Sequence, residues 1–264
     1  MIFYFVLAVF ILLIVGHTFY WEARKKTVNL PKYFAHRGVK INFPENTLAS
    51  YQDAINLGFN GLEIDVCSLK DGTVVCSHNY DLEKETDGTG WLFDLDYSQI
   101  KKFQTGIKSH PKSCQKIPRL IDVLEVLPKQ TFLNIEIKYK NIFDFSTARV
   151  IAELAKKKII DQPFVVSTFN PLIVAYFKAF HRQVLIGYLV ENHKWLWLMN
   201  IIHPDFLHPD GLIINQKIIN KCKKHNLEIN TWTINSIDAV EWCHKNNISS
   251  VITDNPQIIK KWKQ

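Results

Sequence analysis

Two short stretches place carboxylates at the spacing of alternate strand residues. In Leu62-Glu63-Ile64-Asp65-Val66 and in Leu133-Asn134-Ile135-Glu136-Ile137-Lys138 every second side chain is polar. Side chains alternate faces along a strand, so Glu63 and Asp65 share one face, as do Asn134, Glu136 and Lys138. If the apolar faces meet covering helices, three carboxylates and a lysine point toward a common interior. Burying them uncompensated is costly, so they require a metal, a counter-charge or water.

A histidine joins this group through a turn. Lys70-Asp71-Gly72-Thr73 contains Asp-Gly, a hairpin signal, so 61–67 and 74–77 are expected as antiparallel neighbours. A two-residue Asp71-Gly72 loop would set His78 opposite Asp65 and Cys76 opposite Cys67. Glu63, Asp65 and His78 then converge. The alternative, a surface hairpin with solvated charges, fits poorly with the consistently apolar residues between them. Cys67 and Cys76 would lie within disulfide range, and reduced buried thiols are expected if the domain is cytoplasmic.

The elements that must position these residues run along most of the chain. Strand-like runs at 33–35, 61–67, 74–77, 132–138, 164–168, 184–190, 211–214, 228–233 and 250–253 alternate with amphipathic, helix-like segments. Repeated β-α units imply parallel strands under covering helices, and their number fits a TIM (β/α)8 barrel better than an open sheet. The stretch 79–118 breaks the rhythm and reads as an insertion after the hairpin. Composition agrees: 264 residues, 47% hydrophobic and 22% charged, with five cysteines, exclude a disordered chain and a disulfide scaffold. A formal charge of +7 without an aromatic-basic stripe does not make a nucleic-acid binder.

The N-terminus is different material. Met1 to Trp21 holds no Asp, Glu, Lys or Arg, and Arg24, Lys25 and Lys26 follow at once. Residues 1–21 are expected to form one transmembrane helix, with 1–26 as anchor and basic flank and 27–264 as the barrel domain. A cleavable signal peptide would want a basic start and a small-residue cleavage site, and a core helix some polar face. Basic residues on the C-terminal flank place the barrel on the cytoplasmic side of a single-pass protein.

His36-Arg37-Gly38, then Pro44-Glu45-Asn46-Thr47, closely resembles the opening signature of the glycerophosphodiester phosphodiesterase family. The resemblance continues through Glu63-Ile64-Asp65-Val66, His78, Gly88-Thr89-Gly90, Ile117-Pro118, Asn134-Ile135-Glu136-Ile137-Lys138, Trp232-Thr233-Ile234-Asn235 and Thr253-Asp254-Asn255-Pro256. It covers roughly Lys32 to Trp262 in order. It implies a TIM barrel with a small insertion after the second histidine. It also implies one divalent cation, Mg²⁺ or Ca²⁺, on Glu63, Asp65 and Glu136, with His36 and His78 as the acid–base pair and Arg37 and Lys138 at the phosphate. Oxygen ligands suit such a hard cation. Asn79 and Lys84 depart from the family's usual Asp and Arg, which touches substrate contacts or histidine tuning.

The expected reaction is hydrolysis of glycerophosphodiesters to an alcohol and sn-glycerol 3-phosphate, with His36 as base and His78 as acid. Lysophospholipase D action on lysophospholipids is the neighbouring reading, and an inactive membrane-tethered scaffold is the reading from another class. Glu45 is expected near the site. Trp232 is expected to line the substrate pocket or pack in the core, and Asn46 to cap the helix at Thr47. Asp254 reads as a cap or turn residue, and His203, His208 and His225 as structural. Trp195-Leu196-Trp197-Leu198-Met199 is read as a buried helix flank or a lipid-facing patch.

Overall fold

The computed structural model describes residues 2–24 and 28–261. Met1, Lys25, Lys26 and Trp262, which figure in the anchor, basic flank and family match, lie outside these residues.

In chain order the strands are β1 (Tyr33–His36), β2 (Gly61–Ser68), β3 (Val74–Cys76), β4 (Gln104–Thr105), β5 (Gln115–Lys116), β6 (Phe132–Ile137), β7 (Phe164–Thr168), β8 (Ile186–Val190), β9 (Phe206–Pro209), β10 (Glu228–Thr231) and β11 (Ser250–Thr253). Eight of them form a parallel sheet that closes, because β1 pairs with both β2 and β11. This is the expected TIM-like barrel. β3 hangs antiparallel on β2, and β4 and β5 pair within the insertion.

The alternation read from the sequence sets the layers. Leu62, Ile64, Val66, Leu133, Ile135 and Ile137 face the helices in one large core. Phe34, Phe132, Val165, Phe206 and Ile252 plug the barrel interior. Covering helices sit where amphipathic segments predict them. α2, whose range is Leu48–Asn56, follows α1 (Ile2–Phe19) and starts at Thr47. The Thr47 side chain accepts from the Ser50 amide while the Ser50 hydroxyl accepts from the Thr47 amide.

Three expectations change. The strand expected at 211–214 is instead Phe206–Pro209, and Asp210 begins a turn in which its carboxylate accepts from the Leu212 amide at 2.7 Å. The apolar run Leu212-Ile213-Ile214 misled because a continuous apolar run does not reveal its own geometry.

The hairpin register is shifted by one residue. Leu69 N donates to Thr73 O at 2.8 Å and Gly72 N to Leu69 O at 3.0 Å, with Gly72 at φ +82°. The loop is therefore Lys70-Asp71-Gly72, a turn with a left-handed third residue. Val66 faces Cys76 and Cys67 faces Val75, so a one-residue slip puts the two cysteines on opposite faces. All five cysteines are free thiols.

The third change concerns residues 1–21. The helix α1 spans 18 residues, about 27 Å at 1.5 Å per residue, short of the roughly 30 Å of a hydrocarbon core. Among the described residues no helix is long and apolar enough to cross a membrane. Trp21, read as an interfacial aromatic, is buried on the barrel instead. Its indole stacks between His203 and His225 at centroid distances of 4.6 and 4.3 Å. Ala23 N donates to His225 O at 2.8 Å. Arg24 pairs with the buried carboxylate of Asp205, which Lys178 also approaches to 2.7 Å. A flat ring between two imidazoles and a doubly paired carboxylate give this segment a protein partner.

Candidate active site

The site lies where the strands end in the direction of the chain, the usual functional face of such a barrel. His36 is the last residue of β1, and Glu63 and Asp65 come from β2. Glu136 comes from β6, with Lys138 just beyond it, and β2–β6 register sets Asp65 beside Glu136. His36, Arg37, Glu63, His78, Glu136, Lys138 and Trp232 all line one cavity of about 220 Å³.

His78 arrives by a route the sequence did not suggest. With the true register a continued strand would turn it toward the helices. β3 stops at Cys76, Ser77 N donates to Asp65 O at 3.1 Å, and the chain then turns His78 into the cavity.

Arg37 is held on all sides. Its backbone takes φ +59°, and the following Gly38, at φ +78°, packs so closely on Ser50 that a Cβ would lie 2.6 Å from the Ser50 hydroxyl. The turn therefore demands glycine. Arg37 N donates to Glu63 Oε2 at 2.9 Å, Nη1 reaches both Glu45 oxygens at 3.0 and 3.1 Å, and Nε lies 3.1 Å from Asp65 Oδ2. Glu45 thus clamps Arg37. Lys138 Nζ lies 2.8 Å from Asp65 Oδ1 and bonds Glu136 Oε1.

Three carboxylates face two cations, and their titration divides accordingly. Burial, then the charges of Asp65 and Glu136, push the Glu63 carboxyl well above its ordinary range. Burial also raises Glu136. Asp65 falls below the usual carboxylate range despite its burial, because Lys138 and Arg37 flank it. His78 is lowered to about 4, first by burial and further by Lys138 and Arg37, against an opposing pull from Asp65. It is neutral at pH 7.

The donor set fits a hard cation. Glu63, Asp65 and Glu136 each offer an oxygen within 4.8 Å of the others, and buried Glu63 Oε1 has no hydrogen-bond partner. Oxygens at about that separation can share one ion at roughly 2.3–2.6 Å from each. The surplus negative charge supplies the reason to bind it.

Two residues have roles that sequence reasoning missed. Asp254, expected as a cap, follows β11, and its Oδ1 lies 2.8 Å from His36 Nδ1. Asn46, expected to cap the next helix, leaves that task to Thr47. Its Nδ2 donates to Asp65 Oδ2 at 2.9 Å while its Oδ1 accepts from Asp65 N at 3.1 Å and from Tyr51 Oη at 2.8 Å. The quoted motifs contained both residues, which was the available signal. Trp232 follows β10, anchors its indole N–H on His208 O at 2.8 Å and meets Phe169 edge-on. Trp195 and Trp197 stay half exposed beyond β8.

A closed barrel with two histidines, a carboxylate triad and two flanking cations at one mouth defines an enzyme of the phosphate-ester class. The match to a family model, the glycerophosphoryl diester phosphodiesterase family, covers residues 36–258, and the chain belongs to that family. A glycerophosphodiester phosphodiesterase of Caldanaerobacter subterraneus subsp. tengcongensis is 31% identical over 229 residues, covering 85% of this chain and 94% of the relative. One from Bacillus altitudinis is 26% identical, covering 86% and 96%. Among solved structures, a phosphodiesterase of Oleispira antarctica in complex with the product sn-glycerol-3-phosphate superposes with TM-score 0.80. It has 27% identity and covers 88% of this chain and 96% of its own.

Proposed function

We propose that the protein hydrolyses glycerophosphodiesters to an alcohol and sn-glycerol 3-phosphate, using a divalent cation, Mg²⁺ or Ca²⁺, on Glu63, Asp65 and Glu136. The observation that carries this is the single cavity shared by His36, His78, Glu63, Glu136, Arg37 and Lys138, with Asp65 buried against Glu63 and Glu136. The likeness to a structure holding sn-glycerol-3-phosphate supports the product class.

Arg37 and Lys138 bind the anionic phosphate, Arg37 through its fork and Lys138 as a point charge. The bound cation would stabilise negative charge developing on the phosphoryl oxygens. His36 Nε2 takes the proton of the attacking hydroxyl, from water or from the neighbouring glycerol carbon. Asp254, bonded to Nδ1, steadies the imidazolium that forms. His78 delivers a proton to the departing alkoxide. Phosphate against Arg37 and Lys138 offsets two of the charges that hold His78 neutral in the free site.

The test is turnover of glycerophosphocholine, glycerophosphoethanolamine and lysophosphatidylcholine with Mg²⁺, Ca²⁺ or chelator. Cation-dependent release of an alcohol is expected, with His36→Ala and His78→Ala lower by orders of magnitude. No turnover on any substrate would leave the scaffold reading.

We further infer that α1 attaches the chain to a membrane, with the barrel on the cytoplasmic side. Phe3, Phe5, Phe10, Leu12 and Leu13 are 59–71% exposed on this uncharged helix, and the basic cluster that follows it in sequence favours the anionic cytoplasmic leaflet. Sedimentation with membranes in low salt, and protection of the barrel from protease outside intact cells, are expected. Recovery of the whole chain in the low-salt supernatant would overturn the attachment.

A further inference from the structure

The loops after β3 and β6 build a second cavity beside the catalytic one. It measures about 300 Å³ and is lined by Tyr80, Trp91, Phe93, Asp94 and Lys140. Three of these five side chains are aromatic. The Tyr80 and Phe93 rings lie 5.2 Å apart between centroids at 34°. Trp91 is 56% exposed, so its indole presents most of its surface to solvent at the cavity wall. Backbone contacts fix the arrangement: Leu92 N donates to Tyr80 O at 2.8 Å, Leu82 N to Gly90 O at 3.0 Å, and Asp81 and Trp91 form an antiparallel bridge. Asp94 Oδ1 accepts from Lys140 Nζ at 2.7 Å, which neutralises the one cation in the wall.

Its position ties it to the chemistry. Tyr80 is two residues beyond His78 and Lys140 two beyond Lys138. Two residues of chain reach at most about 7 Å. A diester whose phosphate rests on Arg37 and Lys138 therefore has this cavity within reach of its alcohol arm.

We infer that this aromatic cavity receives a quaternary ammonium group on the alcohol half of the diester, so that choline-type head groups are preferred. The inference rests on the hydrolase reading above and deepens it. Ring faces attract a cation through their quadrupoles. A quaternary ammonium has no N–H to satisfy, so it gives up little when it leaves water for a ring face. A primary ammonium is strongly hydrated and would lose hydrogen bonds that rings cannot replace. A neutral polyol has no charge to gain there.

The test compares kcat/KM on glycerophosphocholine, glycerophosphoglycerol and lysophosphatidylcholine for the full chain, Trp91→Ala and Trp91→Phe, with tetramethylammonium chloride as a probe. Trp91→Ala should lower kcat/KM on glycerophosphocholine by roughly five- to thirtyfold, mostly through KM, and leave glycerophosphoglycerol nearly unchanged. Trp91→Phe should keep most of the preference, and tetramethylammonium should compete with glycerophosphocholine in the wild type but not in Trp91→Ala. Equal losses on both substrates, or wild-type turnover with no preference and no competition, overturns the cavity assignment and leaves the hydrolase reading standing. A loss confined to lysophosphatidylcholine assigns the cavity to an acyl chain and likewise overturns it. If no diester is turned over while tetramethylammonium still binds by calorimetry, the hydrolase reading fails and the cation site survives.

Discussion

His36 Nδ1 and Asp254 Oδ1 lie 2.8 Å apart although 218 residues separate them in the chain. Closure of the barrel makes this contact, since β1 and β11 pair in parallel and each ends at the mouth. The Asp254 carboxyl sits below its usual range against the cost of burial, held by its hydrogen bond to His36 and by Lys40 at 3.0 Å. It is therefore ionised wherever the enzyme works, and it fixes which ring nitrogen faces the substrate.

Asp254→Asn is expected to lower kcat by about 10²–10⁴-fold with KM changed far less. The fold should survive, because the residue is on the rim. Steady-state kinetics beside a thermal melt checks this. Unchanged kcat would remove Asp254 from the positioning role.

The two histidines separate by leaving group. From a p-nitrophenyl phosphodiester the p-nitrophenolate departs without a proton, so His78→Ala should retain much of the wild-type rate on it while failing on glycerophosphocholine. His36→Ala should fail on both. The reverse pattern would exchange the acid and base roles.

Without cation, ionisation of the buried Glu63 is expected to destabilise the protein. Glu63 has its carboxyl pKa raised on folding, so the unfolded chain ionises first and stability falls as pH rises above the ordinary glutamate range. Glu63→Gln removes that penalty. In chelator at pH 8 the variant should melt higher than wild type, and the gap should shrink toward pH 4.5. Added Mg²⁺ or Ca²⁺ should stabilise wild type more than the variant. A variant that melts lower in chelator would contradict the charge argument.

The segment carrying Trp21 and Arg24 is held through Asp205. This carboxyl is lowered against its burial by Arg24 and Lys178. A depressed acid contributes stability above its unfolded value of about 3.9, and that contribution is lost as pH falls through the folded value. Asp205→Asn should cost about 3 kcal/mol at pH 7, with the difference from wild type closing in acid below about pH 4. Thermal melts across pH 2.5–7 measure it. A constant difference would mean the carboxylate charge is not what holds the segment.

Local patterns went far where chemistry repeats along a strand. Alternation alone brought Glu63 and Asp65 to one face and Glu136 and Lys138 to another, and the barrel's register joined the two groups. The hairpin reading reached a correct destination through a wrong register. One extra loop residue, Lys70, with Gly72 at positive φ closing the turn, reverses the faces, and only the end of β3 at Cys76 returns His78 to the site. Asn46 and Asp254 were legible as members of motifs but not as positioning residues, because their partners lie on other strands. The N-terminal reading stopped at hydropathy, which registers that Trp21 is apolar and aromatic but not that His203 and His225 stand on either side of it.

The sequence by itself determined the barrel class, the shared strand faces of Glu63 with Asp65 and of Glu136 with Lys138, and, through its ordered motifs, the family. Each of these depends on residue type at short spacing, where strand pleating and turn chemistry act locally. Tertiary structure alone decided the His36–Asp254 pair, the grip of Asn46 and Arg37 on Asp65, the docking of Trp21 and Arg24, and the aromatic cavity beside His78. These contacts join distant segments, and barrel closure, not local preference, sets which side chains meet.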